Sequence, residues 1–95
     1  MVELQKWEID FSAPRAKEGA RLLAFGRVFE ATAVFQSAVQ EAPESPAARY
    51  NLAIVHQAGG KNDLARAGYR ETLGLDPGFE RAIRQLKSLE EGADA

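Results

Sequence analysis

The chain has no cysteine, so disulfides, thiol redox chemistry and cysteine-ligated metal sites are excluded. It has a single histidine, His56, which has no cysteine or second histidine with which to share a metal. No apolar run approaches the roughly 20 residues that a membrane-spanning helix needs. The sequence therefore predicts no metal, no cofactor and no membrane insertion.

The chain also lacks an excess of basic residues, since 12 Lys and Arg face 14 Asp and Glu and the formal net charge is -2. A net acidic protein is not attracted as a whole to nucleic acid or to anionic membranes. The acidic, amphipathic start does not have the basic region and apolar core of a secretory signal. We expect a cytoplasmic protein with no nucleic-acid partner.

The composition is that of an alanine-rich helical protein, with 45% hydrophobic and 27% charged residues in a chain of one-domain length. Apolar residues recur at helical spacing, and glycine or proline separates the periodic stretches. This pattern predicts five helices, near residues 14–25, 28–41, 47–58, 63–73 and 79–91. Gly68 falls in the middle of the fourth predicted helix and Gly74 directly after it, and at both we expect either close packing or a frayed end.

An internal repeat appears when the chain is moved by 34 residues along itself. The shift places Gly26 on Gly60, Pro43 on Pro77 and Phe35 on Tyr69. These matches fall where a helical hairpin needs a turn, a stop and a core aromatic. The last predicted helix continues the pattern as half of a third unit.

A 34-residue period with one helix-turn-helix per unit resembles the tetratricopeptide repeat (TPR) family. Each unit has residues that match the family pattern at small, turn, core and helix-ending positions. In the first unit they are Gly19, Gly26, Ala31, Phe35, Ala38 and Pro43, and in the second Leu52, Ala53, Gly60, Ala65, Tyr69 and Pro77. The resemblance implies an all-α, right-handed α-α superhelix, a TPR-like solenoid of two repeats (12–45 and 46–79) and a C-terminal capping helix (79–91). Residues 1–11 would form an N-terminal arm and residues 92–95 a tail.

The sequence shows no constellation of catalytic residues, so we expect a protein that is not an enzyme. His56 is expected to pack between helices. The resemblance implies a scaffold for protein-protein interaction that binds a peptide or partner segment, of acidic character, in a concave groove. The positions implied for this groove are Lys17, Tyr50, Asn51, Ile54, Gln57, Arg81 and Arg84. Asn51 and Arg81 also match the family's carboxylate clamp, but Ala16, Ala20 and Gln85 replace its other members, so that clamp is not assigned.

The N-terminal arm leaves two interpretations open. Its apolar residues are Leu4, Trp7, Ile9 and Phe11; the last three alternate as in a strand, whereas Leu4, Trp7 and Phe11 fall on one helical stripe. They would either fold onto the first hairpin or reach a neighbouring copy, giving a homodimer or a domain swap as an alternative function. Ser12 is expected to be the N-cap of the first helix, with Pro14 in its first turn.

Overall fold

The structure is a computed structural model that describes residues 7–92, and within that range it consists of five helices and no strand. Each helix packs on the next one along the chain, as in a stack of hairpins. The helices are α1 (Ala16–Ala24), α2 (Val28–Glu41), α3 (Pro46–Ala58), α4 (Asn62–Leu75) and α5 (Glu80–Gly92).

The two turns inside the hairpins have the same geometry 34 residues apart. Gly26 and Gly60 have φ angles of 78° and 80°, a left-handed conformation that glycine adopts without steric cost. The amides of the next residues, Arg27 and Lys61, donate to carbonyl oxygens five residues earlier, at 2.8 and 2.9 Å. The repeat seen in the sequence is therefore a repeat of backbone conformation.

The core is built from aromatic residues that lie against small ones. Phe35 and Tyr69, which are equivalent in the two repeats, are both fully buried. A β-carbon on Gly68 would lie 2.8 Å from the Cβ atom of Ala53, so α3 and α4 approach closely at this point. The close packing predicted for Gly68 is confirmed, whereas the space around Gly74 is open.

The first helix begins at Ala16, and the prediction that Ser12 caps it is wrong. The Asp10 carboxylate instead accepts hydrogen bonds from the Ser12 amide (2.9 Å) and the Ser12 hydroxyl (2.5 Å), so both groups are turned toward the N-terminal segment. The cap position is taken by Arg15 with φ 60°, and no side chain caps the helix there. Because Ser12 takes part in a local aspartate turn with Asp10, α1 begins further along the chain, at Ala16.

The last helix covers the end of the stack with only part of its apolar face. Ala82 and Leu89 are buried, but 42% of Ile83 is exposed, although the sequence pattern placed it on the same face. No helix described by the structure follows α5, so a side chain at the margin of that face has no neighbour to cover it. None of the helices within residues 7–92 is long and apolar enough to cross a membrane.

Candidate functional site

Residues 7–10 form a non-helical segment, hereafter the resident segment, that lies against α3 and α5. It covers a groove whose polar side chains are Asn51 on α3 and Arg81 and Arg84 on α5. Tyr50 lies beside them, with its ring beneath Arg81. We call this surface the α3–α5 groove.

The side chain of Asn51 binds the main chain of the resident segment. Its Oδ1 accepts the Asp10 amide at 2.8 Å, and its Nδ2 donates to the Asp10 carbonyl at 2.9 Å. The side chain is fully buried under these two bonds, as a buried amide requires. Because the bonded atoms belong to the main chain, this contact does not depend on the side chain at position 10, although proline would lack the amide hydrogen.

Arg81 binds the Asp10 side chain while resting on two aromatic rings. Its Nη2 lies 2.5 Å from the carboxylate oxygen Oδ2, and its guanidinium carbon lies 5.1 Å from the Tyr50 ring centre and 5.2 Å from that of Phe79. A cation over ring faces is held electrostatically as well as by packing. The guanidinium is therefore oriented toward an acid at this position.

A second ion pair joins Arg84 to Glu8 at 3.1 Å, with both side chains more than half exposed. Pairs this exposed contribute little to stability because water and salt screen them. Together with the Arg81–Asp10 pair, this ion pair makes the two surfaces complementary in charge, since two arginines on α5 face two acids that are two residues apart in the segment.

The apolar residues of the segment have different environments. Ile9 is 9% exposed and belongs to the main hydrophobic core, against which Trp7 also packs. Phe11 is 59% exposed, and Leu4 lies outside the described residues. One sequence-based alternative placed this cluster on the first hairpin. The core cluster that holds Ile9 includes Ala16 of α1, and the polar contacts that Glu8 and Asp10 make with helices are to α3 and α5.

The surroundings of the Asp10 carboxyl favour its charged form. Burial acts to raise its pKa, but hydrogen bonds from Ser12 and the Arg81 guanidinium outweigh that effect, and the pKa is lowered from its usual value. A lowered carboxyl pKa stabilises the folded protein above the ordinary pKa of aspartate, and the contribution is lost as the pH falls through the folded-state value. The segment is thus held most firmly at neutral pH.

The other residues implied for the groove are not all within it. Lys17 is exposed and forms no ion pair with any residue from 7 to 92. Ile54 is fully buried in the core. Gln57 accepts a hydrogen bond from the Tyr69 hydroxyl at 2.6 Å, which directs its amide toward α4. The structure brings together Tyr50, Asn51, Arg81 and Arg84.

The sequence reasoning missed Glu8 and Asp10, which make the polar side-chain contacts of the resident segment. The sequence did contain a signal for them. These two acids alternate with apolar residues, and two arginines lie three residues apart on the last helix, so the two stretches have complementary charge. Opposite charge between two distant stretches does not by itself say that they meet, since the chain offers many acids and many arginines.

A cavity of about 400 Å³ lies elsewhere on the surface, between α2, α3 and the start of α4. Phe29 and Leu64 border it and are 89% and 52% exposed. His56 is half buried in its wall, and burial, followed by the charge of Lys61, lowers the pKa of that imidazole. The packing role predicted for His56 is consistent with this position between α3 and α4.

The Tyr50 hydroxyl is the one buried side-chain polar atom within residues 7–92 that has no hydrogen-bond partner. Burial raises the pKa of Tyr50 to about 12, so the group is a neutral phenol. A buried polar group without a partner destabilises the fold, whereas one with a partner does not. The two core tyrosines therefore differ, because the Tyr69 hydroxyl is bonded to Gln57.

We expect Tyr50→Phe to leave the free energy of unfolding unchanged or to raise it by up to about 1 kcal/mol. Tyr69→Phe is the matched control, and we expect it to lower that free energy by about 1 kcal/mol because it leaves the Gln57 amide without its donor. Urea denaturation of both variants checks the difference. Equal losses in the two variants would mean that the Tyr50 hydroxyl has a partner in solution.

The comparisons with known proteins agree with this architecture. The tetratricopeptide repeat model matches residues 22–89, which is most of the chain. The chain belongs to the tetratricopeptide repeat family. No curated protein and no solved structure matched the chain. The matched span of this TPR protein includes α3 and most of α5 but not the resident segment.

Proposed function

We propose that this TPR protein is an interaction scaffold whose α3–α5 groove binds a non-helical, acidic segment of a partner protein. TPR repeats generally mediate protein-protein interaction, and the fold by itself does not choose the partner. The observation that supports the groove is the pairing of Asn51 with both backbone groups of Asp10. A side chain placed this way binds a main chain in a defined orientation.

The charge of the expected ligand follows from α5. Arg81 is oriented by the Tyr50 and Phe79 rings, and Arg84 lies one helical turn further along. Arginine binds carboxylates with directional hydrogen bonds as well as with charge. An acidic segment therefore fits this groove better than a neutral or basic one.

The groove has the chemistry of a binding surface. Its arginines are both engaged with carboxylates, and burial keeps the nearby phenol protonated. Within residues 7–92 no three His, Cys, Asp or Glu side chains are grouped as metal ligands. Backbone pairing with flanking cations serves recognition, and peptide-binding surfaces of known proteins use such backbone contacts.

The test uses the full chain with Glu8→Lys and Asp10→Lys, which we call the opened variant. Its resident segment no longer matches the two arginines. The probe is a fluorescein-labelled, C-terminally amidated peptide with the sequence of residues 8–12, Glu-Ile-Asp-Phe-Ser. We expect a saturable rise in fluorescence anisotropy, and at least about tenfold weaker binding when Arg81→Glu is added, because a charged hydrogen bond becomes a repulsion.

The matched control is Arg27→Glu in the opened variant. Arg27 is exposed at the turn before α2 and pairs only with the neighbouring Glu30 among the described residues, so the same charge reversal should leave the affinity unchanged. Circular dichroism establishes that each variant is folded. Absence of saturable binding, or equal loss of affinity with Arg27→Glu and Arg81→Glu, would refute the groove as a peptide site.

A further inference from the structure

We propose that the resident segment is an intramolecular competitor that closes the α3–α5 groove, so that a partner binds by displacing it. This inference rests on the proposed function and concerns the regulation of the same site. The two states are a closed groove holding residues 7–10 and an open groove holding the partner. Binding is then an exchange of one acidic segment for another.

The two occupants exclude each other because the segment uses the groups that a partner needs. Asp10 engages both hydrogen-bonding atoms of the Asn51 side chain, and Asn51 is fully buried. Arg81 is engaged by the Asp10 carboxylate. A partner atom cannot reach the Asn51 amide until the Asp10 main chain has moved away.

The segment also has the advantage of being tethered. Only five residues, 11–15, separate Asp10 from the start of α1. A short tether keeps a segment at an effective concentration on the order of millimolar, which a weak partner in dilute solution does not match. The closed state therefore discriminates against weak ligands without any additional contact.

Displacement is nevertheless local, because the segment is not part of the helical stack. Asn51 of α3 holds Asp10 by two hydrogen bonds, and residues 7–10 are not helical, so leaving the groove breaks no hydrogen bond within a helix. The turn behind it contains Arg15 at φ 60°, a left-handed conformation that is strained for a residue other than glycine. Such segments belong to the less stable parts of a fold and can open while the five helices stay packed, although Ile9 then leaves the core.

The opening can be followed through Trp7, the one tryptophan of the chain, which is half buried against the core in the closed state. We titrate the unlabelled peptide of residues 8–12, which has no tryptophan, into the wild-type chain and the opened variant. We expect an apparent Kd at least about tenfold weaker for the wild type, because the peptide must compete with the tethered segment. At saturation the wild-type Trp7 emission should shift to the red.

The control variant is Glu30→Lys with Glu44→Lys, which makes the same change of charge at two exposed acids, one on α2 and one in the loop after it. It should retain the wild-type affinity, which separates release of the segment from a general charge effect. Equal affinities of the wild type and the opened variant, or a Trp7 emission unchanged at saturation, would refute the competitor while leaving the proposed function in place. Failure of the opened variant to bind at all would refute both.

Sedimentation velocity across a hundredfold range of concentration completes the test. A wild-type chain that stays monomeric supports closure within one molecule. A concentration-dependent dimer that the Glu8→Lys, Asp10→Lys changes dissolve would refute it, because the groove would then be filled by the segment of a second copy.

Discussion

Asn51→Leu is expected to lower the free energy of unfolding by about 1–3 kcal/mol, since it leaves the Asp10 amide without an acceptor and removes one of the two donors to the Asp10 carbonyl. The leucine is similar in size to the amide, so the loss of hydrogen bonds dominates over any change in packing. Both bonds to Asn51 are part-buried in the groove; the Asp10 carbonyl also accepts the Ala13 amide at 3.3 Å, whereas the Asp10 amide donates to Asn51. Chemical denaturation measures the loss.

Asn62→Leu is the matched control, because Asn62 is exposed at the first position of α4. The same substitution there should change the free energy of unfolding by no more than about 0.5 kcal/mol. Hydrogen exchange adds a local readout, since the Asp10 amide should lose protection in Asn51→Leu and keep it in Asn62→Leu. A protected Asp10 amide in Asn51→Leu would show that the backbone pairing does not hold the segment.

Gly19→Ala is expected to lower the free energy of unfolding by about 1–3 kcal/mol, although alanine is the better helix former. A β-carbon at this position would lie 2.8 Å from the Cε2 atom of Phe35 and closer still to other atoms of the ring. The ring is fully buried, so it cannot swing into solvent to make room. Overpacking therefore outweighs the gain in helix propensity.

Gly74→Ala is the control, because nothing lies within 4 Å of the β-carbon that it would add to α4. We expect it to stabilise the protein by up to about 1 kcal/mol through helix propensity alone. Combining Gly19→Ala with Phe35→Leu should recover part of the loss, since the smaller side chain gives the new methyl group room. If Gly19→Ala is stabilising like Gly74→Ala, then α1 and α2 can separate without cost and the close approach is not essential.

The helical stack could be predicted because its information is local and repeated. The bounds predicted for α2, Val28–Glu41, are those of the structure. Gly26 adopts a left-handed turn before the helix, and Pro43 cannot continue a helix after it. The other helices begin or end within a few residues of the prediction. Pairs such as Gly26 and Gly60 carry the same conformational requirement twice, which makes the signal stronger than either residue alone.

The groove could be predicted only in part. The resemblance to the family implied groove positions for Asn51, Arg81 and Arg84, and the structure places these three side chains around residues 8–10. The resemblance also included Gln57, whose amide is bonded to Tyr69, because spacing gives the side of a helix but not the rotamer or the partner of a side chain. Peptide binding at these residues stays a prediction.

The sequence by itself determined the family, the number of helices and the turns between them, because each depends on residues close together in the chain or on a period that recurs. Only the tertiary structure decided where residues 7–10 lie. Four residues are too few to establish a period, and their bonds are made to Asn51, Arg81 and Arg84, which are 41 to 76 positions away. Contacts over such distances depend on how the helices pack against one another, which no local pattern in the sequence specifies.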